Sequence, residues 1–169
     1  QGQENGVGYN NIRGRTELSS IVVNRAATKI IIVDGQSEQA TANGTSTFTP
    51  VNGTHVKQLN IYNGGIYNCV DPLLGSSAAV SVGLSGVAAR LGDYLITEAV
   101  CEDVIVVPIA MGVTPWAIYE PTANGSLFGR VRCAILRLRA HGLEPDAIIT
   151  ARGVTDAGLG TSSVSITSS

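Results

Sequence analysis

The sequence predicts an α/β fold in which a mostly parallel sheet is covered by helices on both faces. Three observations carry that prediction. Two continuous β-branched runs, Lys29 to Asp34 and Asp103 to Met111, have the unbroken apolar character of strands buried on both sides. Segments 83–99 and 126–141 have apolar residues at helical spacing and alternate with those runs, as βαβ units require. Polar turns at 35–38, 112–114 and 153–156 each follow the end of a predicted strand, and such turns converge on the carboxyl rim of a parallel sheet.

Taken in order, residues 1–27 read as an extension or edge segment and 28–169 as one α/β domain. Lys29 to Asp34 is the first central strand. The Thr, Gly, Ser and Asn-rich stretch 38–52 separates it from Val56 to Tyr62, whose alternation predicts a half-exposed edge strand. Residues 64–81 carry turn signals and the pair Asp71-Pro72. Leu84, Val87, Ala88, Leu91, Leu95 and Ile96 then define an amphipathic helix. After the strand 103–111 and the loop to Trp116, a second helix buries Leu127, Val131, Ala134, Ile135 and Leu138. It turns Arg130, Arg132, Arg137 and Arg139 to solvent, and Gly142 fits its C-cap. Pro145 to Thr150 is a short strand leading into Arg152 to Asp156.

Composition excludes several classes of function. With 44% hydrophobic and 14% charged residues, the chain has material for a core and little for a disordered tail. A net charge of -2 and the absence of a basic run argue against nucleic acid, and no apolar run approaches the ~20 residues of a membrane span. Cys69, Cys101 and Cys133 form no close pair, so neither a metal nor a redox cofactor is expected and buried thiols are the simplest reading. Asn43, Asn52 and Asn124 fit the glycosylation pattern, but Asn-Gly is also a favoured turn. Nothing fixes the compartment.

Ser37 lies two residues beyond a buried strand, where a hydroxyl projects from a sheet end and the following amides are free to donate. That placement suits a nucleophile with its own oxyanion donor. The competing reading makes Ser37 a turn or cap residue.

The segment Ile31-Ile-Val-Asp-Gly-Gln-Ser-Glu-Gln39 resembles the first block of the SGNH (GDSL-like) hydrolases, most closely the sialate O-acetylesterase and acetylxylan esterase branch. Val107 to Trp116 is similar to that branch's second strand-end loop, Asp71-Pro-Leu-Leu to Gly86 to its Asp-Pro-Leu segment, and Gly153-Val-Thr-Asp156 to its third block. The resemblance implies a three-layer α/β/α sandwich with a flavodoxin-like sheet, lacking its last strand and helix. It implies hydrolysis of O-acyl esters, often acetyl groups on sugars, with Ser37 as nucleophile. Gly83, with Gly86 as competitor, and Thr155 would serve the oxyanion hole. Gln36, Glu38, Gly112, Thr114, Arg152 and Asp156 would line the site.

The sequence departs from that family at Glu38, Arg152 and Val154, where Asn, Gln and Glu are usual. The family's Asp-x-x-His block is absent. Only His55 and His141 are present, and neither is expected on the strand-end rim. The base would therefore come from outside this sequence, by way of a longer chain or a second polypeptide that also completes the open sheet edge. The partners so implied are an acylated carbohydrate or small ester, without nucleic acid or membrane. A noncatalytic carbohydrate-binding or structural module on the same fold is the alternative.

Overall fold

The computed structural model describes residues 11–18, 23–36, 40, 46–76, 85–112, 114–120 and 126–160. The run after Ala27 forms β1 (Thr28–Gly35), in which Ile30, Ile31, Ile32 and Val33 are all buried. Side chains alternate across a strand, so burial of consecutive residues requires cover on both faces. Each such side chain contributes about 1.5–3 kcal/mol by leaving water. The remaining elements are β2 (Val56–Leu59), β3 (Ile66–Asn68), α1 (Val87–Thr97), β4 (Asp103–Pro108), a 3-10 turn (Trp116–Tyr119), α2 (Phe128–Ala140), β5 (Ala147–Ala151) and the short α3 (Val154–Gly158).

One sheet runs in the order β3-β2-β4-β1-β5, parallel except for β3, which pairs antiparallel with β2. β1 lies between β4 and β5, and β2 and β3 extend the sheet beyond β4. Ile31, Val33, Val104 and Val106 face α1, with Ala88 and Ala89 against them. Ile30, Ile32, Ile105 and Val107 face Ala134 and Leu138 of α2. The expected three-layer α/β/α sandwich is thus the observed architecture, with β4 in the middle of the five strands and β1 between it and β5.

Three expectations are corrected. The strand from Val56 stops at Leu59, and it is buried and interior rather than a half-exposed edge. Three residues inside the turn-rich stretch, Ile66 to Asn68, form the true edge strand. The alternation misled because Gln58, polar yet fully buried, donates to the Asn68 carbonyl at 3.1 Å and accepts from the Leu74 N–H at 2.9 Å. Arg130 and Arg137 do not point to solvent. Arg130 donates to the carbonyls of Ile109 and Gly75, and Arg137 to those of Ile61 and Tyr62, tying α2 to three loops, while Arg132 and Arg139 are exposed as expected. The third polar segment is not a loop but α3.

Close approach and capping explain two glycines. Gly92 lets α1 sit on the sheet, since a Cβ there would lie 2.6 Å from Val56 Cγ1. Gly142, at φ +71, ends α2 as anticipated, with its N–H on the Arg139 carbonyl at 2.9 Å. Among the described residues no helix is long and apolar enough to cross a membrane.

Candidate active site

The chain leaves β1 and returns on one side as β4 and on the other as β5. Loops after β4 and β5 therefore diverge around the end of β1, which makes that end the crevice where open α/β sheets bind ligands. Parallel register brings the segments together there. Met111 donates its N–H to the Gly35 carbonyl at 3.0 Å, and Gln36 donates its N–H to the Ala151 carbonyl at 3.2 Å.

Each described candidate residue has a definite place at this rim. Gln36, 2% exposed, accepts at Oε1 from the Thr155 hydroxyl at 2.5 Å and from the Thr155 N–H at 3.3 Å. Both Thr155 donors are thereby engaged by Gln36. The Thr114 hydroxyl donates to the Met111 carbonyl at 2.8 Å and stiffens the buried turn that contains Gly112. Both carboxylate oxygens of buried Asp156 accept the Trp116 N–H, at 3.0 and 3.1 Å, so α3 anchors the start of the 3-10 turn. Ser37, Glu38 and Gly83 lie outside the described residues. Gly86, the competitor of Gly83, is the N-cap residue of α1 and donates its N–H to Asp71 Oδ1 at 3.4 Å.

Arg152 meets a partner that the sequence reading did not select. Its Nη2 lies 2.5 Å from Asp34 Oδ2, and Thr150 Oγ1 donates to the same oxygen at 3.3 Å. The guanidinium stacks 3.1 Å from the Tyr119 ring centroid and 5.7 Å from that of Trp116. Burial raises the Tyr119 phenol above its ordinary range, which keeps it neutral. A cavity of about 260 Å³ opens beside this group, walled by Asp34, Arg152, Trp116, Tyr119 and Phe128. Asp34 carried a signal in the sequence: a carboxylate closing a fully buried run must find a partner.

The two histidines lie elsewhere. His55 directly precedes β2, at the amino ends of the strands, with Nδ1 3.4 Å from Asp103 Oδ1; Lys57 Nζ is 2.7 Å from the same oxygen. An open groove of about 660 Å³ runs past His55 and Cys101, and burial raises the Cys101 thiol above its usual range. A thiol shifted in that direction is the opposite of an activated cysteine nucleophile. His141 closes α2 and its Nε2 lies 2.7 Å from the Gly64 carbonyl. Among the described residues no cluster of His, Cys, Asp or Glu could hold a metal.

Fold and rim together define an α/β protein of the open parallel-sheet class, with its candidate site at the switch point beside β1. No family model and no curated protein matches the chain. Among solved structures it is similar to a protein from Arabidopsis thaliana, with 17% identity and a TM-score of 0.56 over 77% of this chain. The chain spans 58% of the length of that neighbour. Likeness at this identity establishes the fold.

Proposed function

We propose that the protein is a serine esterase that removes O-acyl groups, acetyl foremost, from carbohydrate, with Ser37 as nucleophile. The observation that supports this reading is the pinning of Gln36, one residue before Ser37, to Thr155 of the third strand-end segment at the switch point. In the proposed reaction Ser37 Oγ bonds to the acyl carbon while its proton passes to a base. That proton then leaves with the sugar oxygen as the ester C–O bond breaks. Water attacks the acyl-serine, gives its proton to the same base, and frees the carboxylic acid and Ser37. Backbone amides at the β1 end and at Gly83 would hold the oxyanion, each such donor being worth ~2.7–4 kcal/mol. His55 and His141 sit off this rim, so the reading places the base on a segment or chain outside this sequence.

The position of those histidines also favours a second reading, a carbohydrate-binding module that does not turn its ligand over. Fluorophosphonate labelling of the protein with everything that copurifies, followed by peptide mass mapping, separates the two. Labelled Ser37, with hydrolysis of an aryl acetate lost in Ser37→Ala, supports the esterase. Equal rates in parent and Ser37→Ala, or a folded sample that leaves Ser37 unlabelled, sink it and leave binding.

A further inference from the structure

The sheet has two edges, and the described chain covers one of them. Beyond β3 the edge is taken up by residues from the start of the chain: Leu18 donates its N–H to the Ile66 carbonyl at 2.8 Å, and Glu17 bridges to Tyr67. Among the described residues nothing pairs with the outer side of β5. Asp146 gives its N–H to Ile30 of β1, and alternation along a strand turns the N–H and C=O of Ala147 and Ile149 the other way, out of the edge.

All five residues of β5 are exposed, although its neighbour β1 is buried along most of its length. Exposed edges are usually blunted by lysine, proline or a bulge, yet Ala147-Ile-Ile-Thr-Ala151 carries no charge and no proline. Ile148 is 50% exposed on the α2 side, where Phe128 and Val131 line the same cavity, and Ile149 is 39% exposed on the opposite face. Val154 of α3 and Leu159 just after it are exposed as well. β5 therefore has the composition of an interior strand.

The pattern of the edge suits a second copy of this chain. An antiparallel pair centred on Ile149 sets that residue against itself, Ile148 against Thr150 and Ala147 against Ala151. The flanking charges, Asp146 and Arg152, then fall opposite each other, whereas a parallel in-register pair would set like against like. Each is already held within its own subunit, by Arg25 and Asp34, so pairing buries no free charge. With the β3 edge occupied, the same patch meets on both partners and the assembly closes at two subunits.

We infer that the protein forms a twofold dimer in which the β5 strands pair antiparallel about Ile149 and join the two sheets into one. Ile148 and Thr150 also wall the cavity of about 260 Å³ beside the candidate site, so its β5 side lies at the seam between the copies. The pairing does not rest on the proposed function, since it requires neither Ser37 nor a base.

The test is analytical ultracentrifugation of the full chain, its Ile149→Lys and Ile149→Glu variants, and an equimolar mixture of the two. The parent should sediment at twice the chain's mass at ~100 μM, well above a Kd near 1 μM. Position 149 faces itself, so each variant opposes like charges and should weaken dimerisation at least ~tenfold, while the mixture should recover a mixed dimer. Circular dichroism checks the fold of each variant. Where either fails to fold, amide exchange in the parent replaces it, and the Ile149 N–H should slow as protein concentration rises. A monomeric parent, a dimer that neither variant weakens, a mixture that stays monomeric, open-ended assemblies or Ile149 exchange independent of concentration overturns the inference. So does a different polypeptide found paired with β5. A folded dimer whose Ser37 takes no fluorophosphonate would remove the esterase and leave this pairing standing.

Discussion

Asp34 and Arg152 close a buried ion pair at 2.5 Å between the end of β1 and the residue that follows β5, across 118 positions of sequence. Register makes the pair, because Asp34 is directly opposite Thr150 and Arg152 lies two residues further on. Removing one member leaves an uncompensated buried charge. Arg152→Met is expected to destabilise the protein by about 3–5 kcal/mol, while Asp34→Leu combined with Arg152→Met should match the parent or exceed it by about 1–4 kcal/mol. Urea denaturation of the parent, both single variants and the double variant checks this. Additive losses in the double variant refute the coupling.

Asp156 holds the Trp116 N–H with both oxygens, so it sets where the chain's only tryptophan sits. Asp156→Ala should release the turn, shift tryptophan emission to longer wavelength and lower stability by about 1–3 kcal/mol through the orphaned N–H. Unchanged emission in a folded variant would show that the Trp116 ring is fixed by its packing alone.

Gly92 faces Val56 and Val104 at the α1–sheet contact. Alanine is favoured over glycine within a helix by about 1 kcal/mol, yet a Cβ here would come 2.6 Å from Val56 Cγ1. Overpacking of this kind costs about 1–3 kcal/mol, so Gly92→Ala should lower the thermal midpoint. Gly92→Ala combined with Val56→Ala should recover part of the loss. A raised midpoint in the single variant refutes the close-approach argument.

Asp146 joins Arg25 at 3.0 and 3.1 Å and accepts the Ile30 N–H at 2.7 Å. Desolvation pushes its carboxyl up, but Arg25 and the Ile30 N–H outweigh it, and the folded value falls below the ordinary 3.8. A lowered folded value means the unfolded chain binds the proton more tightly, so this carboxylate stabilises at pH above 3.8 and loses that effect as pH falls through the folded value. Asp71 has the opposite sign, because burial raises it, so the total acid curve mixes the two. The informative measurement is the stability difference between parent and Asp146→Asn. It should favour the parent at neutral pH and shrink below pH 3.8; a difference constant with pH refutes the linkage.

Much of this architecture was legible in the sequence because burial leaves local marks. The β-branched runs of β1 and β4 announced strands covered on both faces, and the apolar spacing at 87–97 and 128–140 announced the helices. Gly142 announced the end of α2. The edge strand Ile66–Asn68 was illegible because three residues are too few to show a period, and its pairing with β2 is what buries Gln58. Arg130 and Arg137 read as solvated because spacing tells only that a residue faces away from the core. Whether loop carbonyls wait there is a matter of how the chain returns.

What the sequence determined by itself is the alternation of elements, the two central strands and the clustering of polar turns at strand ends. Each follows from periodicity within a few residues. Only the tertiary structure decided the order β3-β2-β4-β1-β5, and with it which turns meet. That order set Thr155 on Gln36, Asp156 on Trp116 and Arg152 on Asp34, and it left both histidines off the rim. The physical reason is that hydrophobic spacing fixes which face of an element is buried. The neighbour it is buried against is fixed by register and crossover, which no local stretch of sequence records.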